Sequence, residues 1–163
     1  MNKIIPRKFK SVRTVRLIFV YGFTVMMGKV IGEDKAWRIL GNISRNRRIK
    51  WIEKNFKDLK FEGNLIDQAY NIFYEEYFGF SEKDMEIVER NEDKIVTRWR
   101  HFCPSLEACQ FLHLDPREVC KRSNERAVND FMKSISPKLR FTRNIEKTRP
   151  HSEYCEEMIE VIK

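Results

Sequence analysis

The sequence predicts an α+β fold: N-terminal helices, then a four-stranded antiparallel sheet of two hairpins joined by helices that cover one face. Three observations carry this. Apolar side chains recur at helical spacing through the first part of the chain. The period changes to strand-like alternation over residues 84–103, and again over 138–146 and 153–162. A capped helix start at Asp115 separates the two alternating blocks. At 163 residues the chain is expected to form one domain, 1–80 mainly helical and 81–163 a sheet with inserted helices.

Each element has its own signal. Residues 9–31 read as a helix whose second half is apolar almost all round, which predicts deep burial. The uncharged run Leu17–Gly28 follows a basic stretch, but its 12 residues are short of the roughly 20 that cross a bilayer, and no small-residue cleavage site follows. A membrane role is therefore not expected. Residues 34–54 form a second helix with Trp37, Leu40, Ile43 or Ser44, Arg47 and Trp51 at 3–4 spacing. Asn64 caps a helix over 65–78. Residues 84–103 read as a hairpin turning at Asn91-Glu92-Asp93, and a short helix over 105–112 follows Pro104. Asp115-Pro116-Arg117-Glu118 starts a helix that runs to about Ser134, with Glu118 completing a capping box. Strands 138–146 and 153–162 pair across the Lys147–His151 turn.

The charge is unevenly placed. The chain carries 32 Lys/Arg and 24 Asp/Glu, a net of +8. Residues 1–60 hold 16 basic and 4 acidic side chains, residues 61–100 hold 5 and 10, and residues 101–163 hold 11 and 10. The basic segment Arg45–Lys50 is expected to be a solvated helix face pairing with the acidic 75–93 region; contact with a nucleic-acid backbone is the competing reading. Four cysteines without a CxxC pair exclude a disulfide scaffold and a zinc ribbon, and predict a reducing, cytoplasmic setting.

Strand alternation then places side chains. On strand 94–103, Ile95, Thr97, Trp99, His101 and Cys103 share the more apolar face. On strand 138–146, Arg143 shares the inward row with Leu139, Phe141 and Ile145, so it needs a carboxylate or carbonyl partner. The last strand is ambiguous between Cys155/Glu157/Ile159 and Tyr154/Glu156/Met158. Cys103, Cys120 and Cys155 can then converge, with His101 or His151 as a fourth donor, which is a donor set for zinc. Buried cysteines acting as small apolar groups, or a reactive thiol, explain the same three residues. Cys109 and His113 share a helix face four residues apart.

The segments Arg100-His101-Phe102-Cys103-Pro104, Val119-Cys120, Ile135-Ser136-Pro137-Lys138-Leu139-Arg140-Phe141-Thr142-Arg143 and Tyr154-Cys155 carry a family resemblance. Over residues 84–163 the chain resembles the L-2-amino-thiazoline-4-carboxylic acid hydrolase-like family. More distantly it resembles the 4-vinyl reductase type of small-molecule-binding domain, whose fold is shared with haem nitric-oxide sensors and a Golgi trafficking subunit. The resemblance implies helices on a four-stranded antiparallel sheet with an apolar pocket between them. It also implies a metal or reactive-thiol role for Cys103, Cys120 and Cys155.

The expectation is a small-molecule-binding domain for an apolar or carboxylate ligand, held by Arg143, Trp99 and His101. A zinc site of Cys103, Cys120, Cys155 and His151 accompanies it. A hydrolase that opens a cyclic C–N or C–S bond is the alternative, and a basic nucleic-acid-binding module the third. A homodimer is expected by analogy with related folds.

Overall fold

The computed structural model describes residues 11–59 and 61–162. Helix α1 (Val12–Ile31) starts at Ser11, whose hydroxyl accepts the Thr14 N–H at 3.1 Å. Residues 9 and 10, placed in this helix from sequence, lie outside the described residues. Gly32 turns the chain at φ +92°, a conformation that costs glycine little, and α2 (Glu33–Asn55) runs back along α1. Asn64 caps α3 (Leu65–Tyr70) as expected, accepting the Asp67 N–H at 3.0 Å, and the helix continues as a wider π-helical segment over Asn71–Tyr77. The hairpin β1 (Glu86–Arg90) and β2 (Lys94–Trp99) follows, then α4 (Pro104–Leu112).

Asp115 caps α5 (Pro116–Cys120) through the Arg117 N–H at 2.9 Å. Glu118 pairs with Arg122 at 3.4 Å, one turn on. A second π-helical segment, Lys121–Glu125, joins α5 to α6 (Arg126–Ile135). Strands β3 (Leu139–Asn144) and β4 (Cys155–Val161) complete an antiparallel sheet in the order β1-β2-β4-β3. The α+β class and the four-stranded sheet are as the sequence predicts.

Register explains how the sheet builds both core and site. Ile95 and Phe141 both stand opposite Ile159, and all three are fully buried. Two residues along, Thr97 and Arg143 both stand opposite Glu157. An apolar row is thus followed on the same face by a polar one, because side chains repeat every second residue. This settles the last strand: Glu157 and Ile159 face inward. Glu156 and Glu160 face out, where Arg98 and Arg140 each meet them at 2.9 Å. Phe131, Met132 and Val128 of α6, with Phe73 and Tyr74, cover the inner face.

A second apolar cluster lies away from the sheet. Tyr21 of α1, Trp37 of α2, Ala108 and Cys109 of α4, and Val119 of α5 pack together. Gly41 lets α2 approach the π-helical segment closely: a Cβ there would stand 3.1 Å from the Arg122 carbonyl oxygen.

The deep burial expected for the second half of α1 does not occur. Tyr21 and Thr24 are buried, while Phe19, Phe23, Met26 and Val30 are exposed. The helix packs on α4 and α2 along one side only, so its apolar residues fill two faces and the structure covers one of them.

Candidate functional site

Arg143 sits on β3 with its side chain 12% exposed, and its Nε and Nη2 donate to Glu157 Oε1, the former at 3.1 Å. Tyr74 reaches the same carboxylate at 3.3 Å and Thr97 at 3.3 Å, and Trp99 Nε1 donates to Thr97 Oγ1 at 3.1 Å. Burial works against the Arg143 charge, but the Glu157 carboxylate outweighs it and holds the guanidinium above its usual range. Burial and the same carboxylate push the Tyr74 hydroxyl up. Arg143 Nη1 is buried with no hydrogen-bond partner among the described residues. The predicted inward Arg143 and its carboxylate are therefore present, with one donor left over.

A cavity of about 530 Å³ lies between α1, α2 and the two π-helical segments. Its apolar wall includes Leu17, Val20, Leu40, Trp51, Tyr77 and Phe78, and its polar lining includes Ser44, Ser105 and Asn124. Four arginines line it, Arg13, Arg16, Arg47 and Arg48, with no carboxylate beside them in the lining. Both π-helical segments contribute to the wall, Tyr77 from the first and Ser123 and Asn124 from the second. Such helix widenings often occur at functional sites.

Arg48 is the unusual member. It is 5% exposed, yet no ion pair reaches it among the described residues. Its guanidinium donates to the Ser44 hydroxyl and to Asn124 Oδ1, the latter at 3.1 Å, and its buried Nε has no partner. Burial, with the charges of Arg47, Arg143 and Arg13 adding to it, lowers its pKa to about 10. A buried cation without a counter-charge is costly unless something anionic completes it. Arg48 feels the charge of Arg143, and each of the two keeps an unused N–H.

Sequence reasoning missed Arg48 and named its neighbour Arg47 on the helix stripe. The signal was available: Trp37, Gly41, Ser44, Arg48 and Ile52 follow helical spacing, and small residues at 41 and 44 leave room for a long side chain to fold inward. The segment 45–50 is accordingly not one solvated face. Arg45 pairs with Asp130 of α6 at 2.5 Å and not with the 75–93 region, because α2 packs against α6.

The other predicted residues fall around this centre. Trp99 packs on Tyr74 and Phe80 and steadies the Thr97 end of the network, away from the cavity lining. His101 is exposed, and its backbone carbonyl accepts from Arg149. Cys103 precedes α4, Cys120 ends α5 and Cys155 begins β4; all four cysteines are free thiols. Burial raises the Cys120 thiol to about 11, against the lowering effect of Arg143, and raises the fully buried Cys109 thiol to about 12. Cys155 Sγ accepts the Arg149 N–H at 3.4 Å. His151 turns to Asp115, 3.6 Å away. His113 closes α4 in a left-handed conformation and is exposed, so it does not share the Cys109 environment.

For zinc, the thiols are near enough to feel one another's charge. Among the described residues, however, no three of His, Cys, Asp or Glu form a group that holds a metal ion. Burial holds the Cys120 thiol high, which disfavours the thiolate zinc requires, and the Arg143 cation beside Cys120 and Cys155 repels a second cation. Cys103, Cys120, Cys155 and His151 are not brought together as such a group among the described residues, and His151 faces Asp115 instead.

No protein-family model matches the chain, and no curated protein matches it significantly.

Proposed function

We propose that the chain binds a small organic anion, a carboxylate on an apolar or aromatic body, in the cavity between α1, α2 and the π-helical segments. The observation that carries this is Arg48: a buried guanidinium with no counter-charge among the described residues and an unused Nε at the wall of a cavity. A carboxylate there completes its hydrogen bonding in the bidentate geometry that guanidinium favours. The apolar wall of Leu17, Trp51, Tyr77 and Phe78 takes the body of the ligand. Arg143 lies behind, held by Glu157, and adds positive potential.

The test is thermal stabilisation by decanoate, indole-3-acetate and 2-amino-thiazoline-4-carboxylate, with decanol as the uncharged control. The carboxylates raise the melting temperature of the wild type, and Arg48→Met abolishes that rise while decanol has the same effect on both. Stabilisation of the Arg48→Met protein by carboxylates to the wild-type extent refutes the assignment.

A second reading is favoured by Cys120 beside Arg143. The resemblance to the amino-thiazoline carboxylate hydrolase-like family adds a reaction to a carboxylate site: the Cys120 thiolate adds to the ring carbon between nitrogen and sulfur, the C–N or C–S bond at that carbon breaks with its leaving atom taking a proton, and water then hydrolyses the bond to Cys120 and restores the thiol. Turnover of the thiazoline carboxylate, lost in Cys120→Ser but with binding kept, is its signature; binding without turnover leaves the protein a binding domain.

A further inference from the structure

We propose that the outer face of α1 docks the protein on an anionic membrane surface, with the helix lying along the bilayer and not across it. Val12, Phe19, Phe23, Met26 and Val30 are 88%, 74%, 59%, 59% and 77% exposed. Their spacing of 7, 4, 3 and 4 residues sets all five on one side of the helix, over a length of about 27 Å. Long, contiguous apolar stripes of this kind mark contact surfaces.

The opposite face of α1 is committed to the protein. Tyr21 bonds Ser105 at 2.8 Å and Thr14 donates to Glu107 at 2.8 Å. The 20-residue helix is apolar enough to span a bilayer by composition, but spanning would strip these contacts away. A surface position keeps them and buries only the stripe.

Charge selects the occupant. Helix α1 contains Arg13, Arg16 and Lys29 and no acidic residue, and the ten residues before it in sequence hold Lys3, Arg7, Lys8 and Lys10, again without an acid. Arg13, Arg16 and Arg47 stand at the mouth of the cavity beside Val12 and Ile43, two of the exposed apolar residues. A second copy of the chain seated on this helix would set cation against cation. Anionic lipid headgroups complement the arginines while the acyl region takes the phenylalanines. This docking does not depend on what the cavity binds.

The experiment is co-sedimentation of the full chain with vesicles of phosphatidylcholine alone and of phosphatidylcholine with phosphatidylglycerol, at low and high salt. Light scattering fixes the oligomeric state without lipid. Binding is expected to phosphatidylglycerol vesicles only and to weaken in high salt. The double variant Arg13→Gln/Arg16→Gln lowers affinity on the order of thirtyfold. Phe19→Ser/Phe23→Ser abolishes binding with the circular dichroism spectrum unchanged. The wild-type lipid comparison stands by itself should that variant misfold. No binding to phosphatidylglycerol vesicles, or equal binding to both compositions, overturns the proposal. So does a solution dimer that Phe19→Ser/Phe23→Ser dissociates, since the stripe would then belong to a second copy.

Discussion

Replacing Arg48 with methionine separates a ligand anchor from a structural arginine, because the two roles predict opposite changes in stability. The side chain is buried and its pKa falls to about 10, chiefly through desolvation. A drop of that size corresponds to about 3 kcal/mol of destabilisation of the charged form. At pH 7 the residue is charged in both the folded and the unfolded chain, so the whole penalty is present. The unfolded chain holds the proton to higher pH, hence stability rises with pH only above about 10. Methionine is uncharged and replaces the apolar stem of the arginine. It removes the penalty but gives up the bonds to Ser44 and Asn124, about 2 kcal/mol together. The net is a gain of about 1 kcal/mol, which for a chain of this size raises the melting temperature by about 2–4 °C. Thermal unfolding followed by circular dichroism at pH 7, without ligand, measures it. A fall of several degrees in Arg48→Met would show that the guanidinium is satisfied in the free protein, and the argument for an anionic ligand would fail with it.

Three further outcomes follow from the same geometry. Glu157→Gln leaves Arg143 charged and without its carboxylate, at a cost of about 3–5 kcal/mol in urea unfolding; Glu157→Leu with Arg143→Met recovers most of it. Burial holds the Cys109 thiol near 12, so native protein at pH 8 alkylates at this position only after unfolding, as peptide mapping would show; rapid native labelling at Cys109 would contradict its placement. The Asp115 carboxyl is held low by Arg117 and Glu156 by Arg98, so both favour the fold when ionised. That contribution is present above the ordinary carboxylate range and is lost as pH falls through about 4 and below, which acid titration of stability will show.

Much of the fold was legible because it is written in local signals. Asn64 and Asp115 cap the helices they were expected to cap, since a side-chain oxygen satisfies an orphan N–H whatever the rest of the chain does. Alternation placed Ile95, Thr97, Phe141 and Arg143 on the inward face. It could not choose between Glu157 and Glu156, because both faces of the last strand carry acid beside apolar residues. The register opposite Arg143 and Thr97 made that choice.

The candidate site was half legible. Arg143 announced its need for a carboxylate by standing in an apolar row. Arg48 did not announce itself, because a basic run on a helix looks solvated from any one position. Only the packing of α2 against the π-helical segment shows which of Arg45, Arg47 and Arg48 turns inward. The exposed stripe of α1 was hidden for the converse reason. Composition shows that a helix is apolar on every side but not how many of its sides the protein covers.

By itself the sequence determined the α+β class, the caps, the hairpins and the inward row of β3, all of which rest on contacts within a few residues or on a fixed side-chain period. Tertiary structure alone decided the Glu157 pairing, the cavity around Arg48 and the uncovered face of α1. Each of these depends on which distant surface arrives opposite a residue, and local periodicity carries no information about that.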